Sequence, residues 1–171
     1  MPPTRTTAAL APRPGATLLV TGAGAVGLPA VMAAHRTPVT RIIAADRVAA
    51  RPAPARELGA TDTIDTGGED LAEAVGELTG GRGVDGVVET TGNAGVLGTA
   101  IGTPAARGTA VVAGLTMGDA DTQALVPTLA ELVAAGRFPL EKLVTHYEFG
   151  QIQQAVDDML AGTTIKPVLR L

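Results

Sequence analysis

The sequence predicts an α/β protein built on a doubly wound parallel sheet, and three observations carry this prediction. Short apolar segments typical of buried parallel strands alternate with segments of helical character from residue 17 to residue 113. A glycine-rich turn joins the first strand to the first helix. Aromatic residues make up only 2% of the chain, so the core is expected to consist of Ala, Val, Leu and Ile, which suits strands covered by helices.

The predicted elements follow one another in a regular order up to the fifth strand. Strands are expected at residues 18–20, 41–45, 62–65, 85–92 with a polar exit, and 109–113. Helices are expected at residues 25–34, 51–58, 69–78 and 94–105. The rhythm then changes to a polar loop at 116–122, a helix at 125–135, a helix with Ile152, Val156 and Leu160 on one face, and a terminal strand at 165–171. We expect one domain over residues 1–171, with residues 1–14 as a flexible lead-in.

Composition excludes several classes of function. The net charge of -4 and the absence of a Lys/Arg cluster argue against nucleic acid as a partner. The chain has no cysteine, which excludes disulfides and thiolate ligands to zinc. No apolar run is long enough to span a membrane, and the N-terminus has no signal-peptide pattern. We therefore expect a cytoplasmic protein that binds no membrane.

The glycine turn has the spacing of a dinucleotide-binding loop. Gly22, Gly24 and Gly27 follow the first strand as GxGxxG and precede an Ala-rich helix. The first glycine permits the tight turn, the second lets the backbone approach the phosphates, and the third lets helix and strand pack closely. The helix N-terminus adds amide donors and partial positive charge. The stretch therefore predicts a site for a pyrophosphate.

Asp46 strengthens this prediction because it ends the second strand, nineteen positions after Gly27. In a Rossmann unit an acidic residue at this place accepts hydrogen bonds from the adenosine ribose and repels a 2′-phosphate, which favours NAD over NADP. Taken alone, Asp46 is as easily interpreted as a solvated loop residue. After a GxGxxG turn, the cofactor interpretation is favoured by about three to one.

Longer stretches of the chain resemble the cofactor-binding half of the medium-chain, zinc-type alcohol dehydrogenase family. The resemblance rests on Leu-Leu-Val-Thr-Gly-Ala-Gly-Ala-Val-Gly-Leu at 18–28, Ile-Ile-Ala-Ala-Asp at 42–46, Val-Asp-Gly-Val-Val-Glu-Thr-Thr-Gly at 84–92 and Arg-Gly-Thr-Ala-Val-Val-Ala-Gly-Leu at 107–115. The tail, with Thr-Thr-Ile-Lys-Pro-Val-Leu at 163–169, is similar to the aryl-alcohol branch.

The resemblance implies a role for each matching residue. Gly22, Gly24 and Gly27 would hold the pyrophosphate, and Val26 would lie behind the nicotinamide. Asp46 and Arg51 would hold the adenosine ribose, while Thr91 would line the adenine or ribose side. Lys166 stands where the family often has an arginine near the phosphates, although a solvated lysine beside Pro167 is an equal interpretation.

The sequence also departs from the family pattern. Nothing in these residues corresponds to the family's catalytic domain, and with no cysteine and only His35 and His146 the usual catalytic zinc cannot be assembled, so no metal is expected. The segment between Leu115 and Leu125 is shorter than the family's, which holds a sixth strand. We therefore expect the fifth strand to form a sheet edge, which pairs in a homodimer or is covered by residues 116–124 or the tail.

The sequence offers few candidates for catalytic residues. His146 and Tyr147 are the weak catalytic candidates, and a pair at a helix entry or on the surface is the favoured interpretation. Three functions remain open. The first is an NAD(H)-binding, alcohol-dehydrogenase-like oxidoreductase module acting on a small molecule, without zinc, and completed by a separate catalytic-domain chain or by self-association. The second is a non-redox Rossmann enzyme (a cyclase, isomerase or lyase), and the third is a non-catalytic NAD(H) sensor. We favour the first.

Overall fold

A computed structural model describes residues 12–113, 130–131, 133–136 and 139–170. Contacts between Cα atoms divide the chain into two units, Met1–Thr116 and Met117–Leu171. The predicted loop at 116–122, the start of the predicted helix at 125–135 and most of the lead-in fall outside the described residues. Residues 130, 131, 133 and 134 of that helix are helical. The single domain over residues 1–171 stays a prediction.

The first unit is built on a five-stranded parallel sheet, which confirms the predicted fold class. The strand order is β3-β2-β1-β4-β5, with every neighbouring pair parallel. The strands are β1 (Thr17–Thr21), β2 (Arg41–Asp46), β3 (Asp62–Asp65), β4 (Val84–Glu89) and β5 (Pro104–Val112). The helices between them are α1 (Gly27–Ala34), α2 (Pro52–Glu57), α3 (Leu71–Thr79) and α4 (Ala94–Gly102).

The core of this unit lies where the central strands meet the helices. Apolar side chains from the strands pack against α3 and α4 in one buried cluster. Its members are Leu19, Ile43, Ala45, Ile64, Leu71, Val75, Val84, Val87 and Ala100. Burying each large aliphatic side chain contributes about 1.5–3 kcal/mol, so this cluster stabilises the alternation of strands and helices.

β5 begins five residues before its predicted start. Pro104 pairs with Val84, and the register then shifts so that Gly86 pairs with Thr109. Proline is tolerated as the first residue of a strand because it need not donate to the ladder there. Among the described residues β5 pairs only with β4, so it forms the edge of the sheet. The cover for this edge, whether a second copy, residues 116–124 or the C-terminal tail, stays a prediction.

The second unit holds a separate two-stranded parallel sheet. It contains β6 (Val144–Glu148), α5 (Ile152–Ala161) and β7 (Lys166–Arg170), and β6 pairs with β7. Ile152, Val156 and Leu160 are exposed on α5, whereas Ala155 is buried. No helix among the described residues is long and apolar enough to cross a membrane.

Candidate functional site

A cleft of about 740 Å³ opens at the carboxyl ends of β1, β2 and β4. It lies where the sheet order reverses, with β2 on one side of β1 and β4 on the other, which is the usual ligand position in an open α/β sheet. Predicted site residues Gly22, Gly24, Val26, Asp46, Arg51 and Thr91 all line this cleft. Thr21, Arg47, Thr66, Glu69, Asp70, Thr90, Asn93 and Val96 line it as well.

The glycine turn is enforced by close contacts. Gly22 has a φ of +88°, and a Cβ at Gly27 would lie 1.6 Å from the carbonyl oxygen of Gly22. The Thr90 hydroxyl donates to the carbonyl oxygens of Thr21, at 2.8 Å, and Gly22, at 3.1 Å. The turn is therefore held between the first residue of α1 and the exit of β4.

Asp46 is tied directly to this turn. Its Oδ2 accepts hydrogen bonds from the backbone N–H of Ala23, at 2.7 Å, and from Nη1 of Arg51, at 3.0 Å. Its Oδ1 accepts one from the N–H of Val48, at 2.9 Å. The residue is only 8% exposed, and this pairing is what a buried carboxylate requires. Since a carboxylate offers about four acceptor positions, one position on Oδ1 is left for a further donor.

Two buried polar atoms at the cleft have no hydrogen-bond partner among the described residues. They are Oγ1 of Thr21 and Nε of Arg51. Buried polar groups in folded proteins nearly always have a partner, so each such atom needs an explanation. Both residues line the cleft, and a polar ligand bound there would supply partners. Together with the free position on Asp46, they fit a ligand that carries hydroxyl and phosphate oxygens.

The exit of β4 is organised by Glu89, which the sequence analysis missed. Its side chain is 1% exposed, and Oε1 accepts hydrogen bonds from both the N–H, at 2.6 Å, and the hydroxyl of Thr91. Its Oε2 accepts from the N–H of Gly92, at 3.2 Å. Glu89 thus fixes the position of Thr91 at the cleft wall. The available signal was an acidic residue directly after Val87 and Val88 with two threonines and a glycine behind it.

Apolar surface completes the cleft. Val26, the N-cap of α1, lines the cleft and is 55% exposed. α4 also begins here, where Oδ1 of Asn93 caps the N–H groups of Gly95 and Val96. The site therefore combines amide donors, a paired acid and an uncovered apolar side chain.

Comparison with known proteins agrees with this geometry. Residues 25–149 match the family described as zinc-binding dehydrogenase. The chain belongs to this family. It is 35% identical to the geraniol dehydrogenase of Castellaniella defragrans, over 91% of this chain and 48% of that protein. It is 31% identical to the class-3 alcohol dehydrogenase of Myxine glutinosa, over 92% and 49%.

Solved structures of zinc-binding dehydrogenases share the fold. An alcohol dehydrogenase zinc-binding domain protein from Burkholderia ambifaria is 40% identical with a TM-score of 0.81, covering 96% of this chain and 51% of that one. Benzyl alcohol dehydrogenase from Acinetobacter calcoaceticus is 31% identical with the same TM-score, over 95% and 51%. The chain thus spans about half the length of the relatives it matches. The predicted resemblance to the cofactor-binding half of zinc-type alcohol dehydrogenases is confirmed.

The zinc implied by the family name does not fit the residues described. The sequence has no cysteine and two histidines. Within the described ranges, no three His, Cys, Asp or Glu residues are grouped closely enough to hold a metal ion. His35 lies at the C-terminus of α1 and packs against Gly59, where a Cβ would come within 2.5 Å of Cγ of His35.

His146, Tyr147 and Lys166 belong to the second unit, on its two paired strands. His146 and Lys166 are exposed, whereas Tyr147 is buried. The Tyr147 hydroxyl donates to Oδ2 of Asp158, at 2.8 Å, and lies 2.5 Å from Oγ1 of Thr164. The bond with Thr164 lowers the pKa of Tyr147, but burial and Asp158 outweigh it, so the pKa lies above its ordinary value. The catalytic roles of His146 and Tyr147 and the phosphate role of Lys166 stay predictions.

Proposed function

We propose that this chain binds NAD(H) in the cleft of the first unit and is the cofactor-binding module of an alcohol-dehydrogenase-like oxidoreductase. One observation carries the proposal. The acid at the end of β2 is hydrogen-bonded at 2.7 Å to the amide of Ala23 inside the glycine turn, so ribose and pyrophosphate positions share one cleft.

Each residue of the cleft has a defined task in this proposal. Asp46 accepts a ribose hydroxyl at its free position on Oδ1, and Nε of Arg51 donates to an oxygen of the same ribose or phosphate. Gly22 and Gly24 line the cleft where the pyrophosphate would lie at the N-terminus of α1, and Gly27 lets α1 pack closely against the turn. Val26 supports the nicotinamide ring, and Thr91 lines the adenosine side. The bound cofactor would supply the hydride chemistry.

Substrate binding requires groups beyond those in the cleft. The chain spans about half the length of its relatives. One of them is named geraniol dehydrogenase, a name that identifies its substrate as an alcohol. We propose that a separate catalytic-domain chain or a second copy of this chain supplies the groups that hold a small alcohol or aldehyde against the nicotinamide. The module itself binds NAD(H) without zinc.

The first test is a titration of the purified protein with NADH, followed by the fluorescence of the nicotinamide because the chain has no tryptophan. Saturable binding is expected, and Asp46→Asn should raise Kd at least about tenfold because the amide accepts through a single oxygen. Asp62→Asn is the matched control, since Asp62 pairs with Arg41 and does not line the cleft. A chelator should leave Kd unchanged. Absence of binding at millimolar NADH contradicts the proposal.

The second test separates a redox module from a sensor. The rate of hydride transfer to NAD⁺ from a panel of primary and aryl alcohols is measured as formation of NADH. The measurement is made with this chain alone and again after addition of a catalytic-domain chain of a relative. A rate of hydride transfer that rises more steeply than in proportion to the concentration of this chain indicates self-association. Transfer that occurs only with the added chain indicates a partner. NADH binding with no transfer under either condition contradicts the oxidoreductase role and leaves the NAD(H)-sensing alternative.

A further inference from the structure

The charge of Asp46 is not free to act on a ligand. Its Oδ2 lies 3.0 Å from Nη1 of Arg51, and both side chains are largely buried. A 2′-phosphate on the adenosine ribose would therefore meet an ion pair rather than a lone carboxylate. Because opposite charges at this distance cancel over longer range, Asp46 by itself rejects NADP less than its position in the sequence indicates.

The segment that connects β3 with α3 lies beside this ion pair. The N–H of Thr66 donates to the carbonyl oxygen of Asp46 at 3.0 Å. Gly67 approaches Arg47 so closely that a Cβ there would lie 3.1 Å from the Arg47 carbonyl oxygen. Backbone hydrogen bonds from Gly68 and Glu69 to the carbonyl oxygen of Asp65 fix the course of the segment. Its position against the end of β2 is thus set by the main chain.

Three exposed charges line the cleft from these two segments. They are Arg47, Glu69 and Asp70, and none of them forms an ion pair with another described residue. Asp70 caps α3 by accepting from the N–H of Glu73, which holds its carboxylate at the start of the helix. With the Asp46–Arg51 pair neutral as a unit, the two acids outweigh Arg47. The formal charge that these three side chains bring to this end of the cleft is therefore -1 (one cation against two acids).

We propose that Glu69 and Asp70 form a second barrier against the 2′-phosphate of NADP, separate from Asp46 and opposed by Arg47. This inference rests on the proposed binding of NAD(H) in the cleft. A phosphate monoester carries about -1.5 to -2 charges at neutral pH, so the two acids discriminate by charge between ligands that differ only in this group. Independently of these charges, Thr21 lines the same cleft and its buried Oγ1 has no partner among the described residues, which favours a polar ligand there.

The test uses ligands that report the adenosine end alone. Adenosine 2′,5′-bisphosphate and 5′-AMP are titrated by calorimetry against the protein and its Glu69→Gln/Asp70→Asn variant, with NADPH and NADH as the full cofactors. Asparagine caps a helix about as well as aspartate, so the fold is retained. At about 10 mM salt, where the Debye length is about 30 Å, the variant should change the ratio of two association constants, that of the 2′-phosphorylated ligand over that of the unphosphorylated one. We expect this ratio to rise about five- to twentyfold.

Two further variants sharpen the result. Arg47→Gln should shift the same ratio in the opposite direction. Glu73→Gln, an exposed acid of α3 that does not line the cleft, should change it clearly less than the double variant does. At about 1 M salt the effect of the double variant should largely disappear. NADH binding with a ratio unchanged within about twofold at low salt overturns this inference alone. An equal rise in affinity for the 2′-phosphorylated and the unphosphorylated ligands also overturns it. Failure of all four ligands to bind overturns the proposed function as well.

Discussion

Gly27→Ala tests the glycine turn at its tightest contact. The added Cβ would lie 1.6 Å from the carbonyl oxygen of Gly22 and 2.7 Å from its carbonyl carbon, whereas ordinary contacts lie at 3.4–4 Å. Turn and helix must separate by about 1.8 Å, the difference between 3.4 and 1.6 Å. Overpacking costs about 1–3 kcal/mol, and because the obstacle here is backbone we expect about 3 kcal/mol. For a chain of this length the Tm should fall by about 6–12 °C.

The same displacement should weaken cofactor binding. Moving the turn takes a backbone donor away from the phosphates, and a hydrogen bond to a charged group is worth about 1.5–3 kcal/mol. The Kd for NADH should therefore rise roughly ten- to hundredfold. Thermal unfolding by far-ultraviolet circular dichroism and the fluorescence titration measure the two effects. Gly76→Ala in α3 is the control, because no atom lies within 4 Å of its added Cβ and alanine favours a helix. If Gly27→Ala kept the Tm and Kd of the unmodified protein, the steric reasoning would be refuted.

Two further substitutions test buried and exposed carboxylates of the first unit. Glu89→Gln replaces one of two acceptor oxygens with a donor that faces the N–H of Gly92 or Thr91. The free energy of unfolding in urea should therefore fall by about 1–3 kcal/mol, and NADH should bind more weakly. Unchanged stability would contradict the role given to Glu89. The Arg82 guanidinium and the N–H of Thr17 hold the pKa of Asp85 below its ordinary value, so its contribution is present above about pH 4 and is lost as the pH falls through the lower, folded-state pKa. Asp85→Asn should therefore lower the free energy of unfolding at pH 7 by under about 1 kcal/mol. In unfolding curves measured below the folded-state pKa, the difference from the unmodified protein should vanish. A difference that stays constant across pH would exclude this linkage.

Local spacing was sufficient to predict that the glycine turn and Asp46 lie together, whereas their cofactor roles stay predictions. The spacing of Gly22, Gly24 and Gly27 and the position of Asp46 are local properties of one strand, turn, helix and strand. The carboxyl ends of adjacent parallel strands meet at one edge of a sheet, so Asp46 was expected near the turn. The 2.7 Å hydrogen bond between the N–H of Ala23 and Oδ2 of Asp46 has this origin.

Features that depend on contacts between distant segments were not predicted. Glu89 is buried because β4 lies beside β1, and its exit loop folds back over the carboxylate. The ion pair between Arg51 and Asp46 is local, with the two residues 5 positions apart in the chain, but it was also not predicted, since the resemblance only placed both residues at the adenosine ribose. The early start of β5 depends on a register shift against β4, which leaves no periodic pattern in the sequence. Hydrophobic periodicity identifies faces of elements, but the partners of a buried charge are set by the tertiary structure.

Two buried acids stand on either side of the glycine turn, and this raises a problem for an anionic ligand. Asp46 ends β2 and Glu89 ends β4, the two strands that flank β1. The charge of Asp46 is balanced by Arg51, and that of Glu89 is satisfied by the N–H and hydroxyl of Thr91 and the N–H of Gly92. Each carboxylate therefore uses most of its acceptor positions to orient backbone and side-chain donors around the turn. The N-terminus of α1 keeps its partial positive charge for a pyrophosphate because the neighbouring acids already have partners.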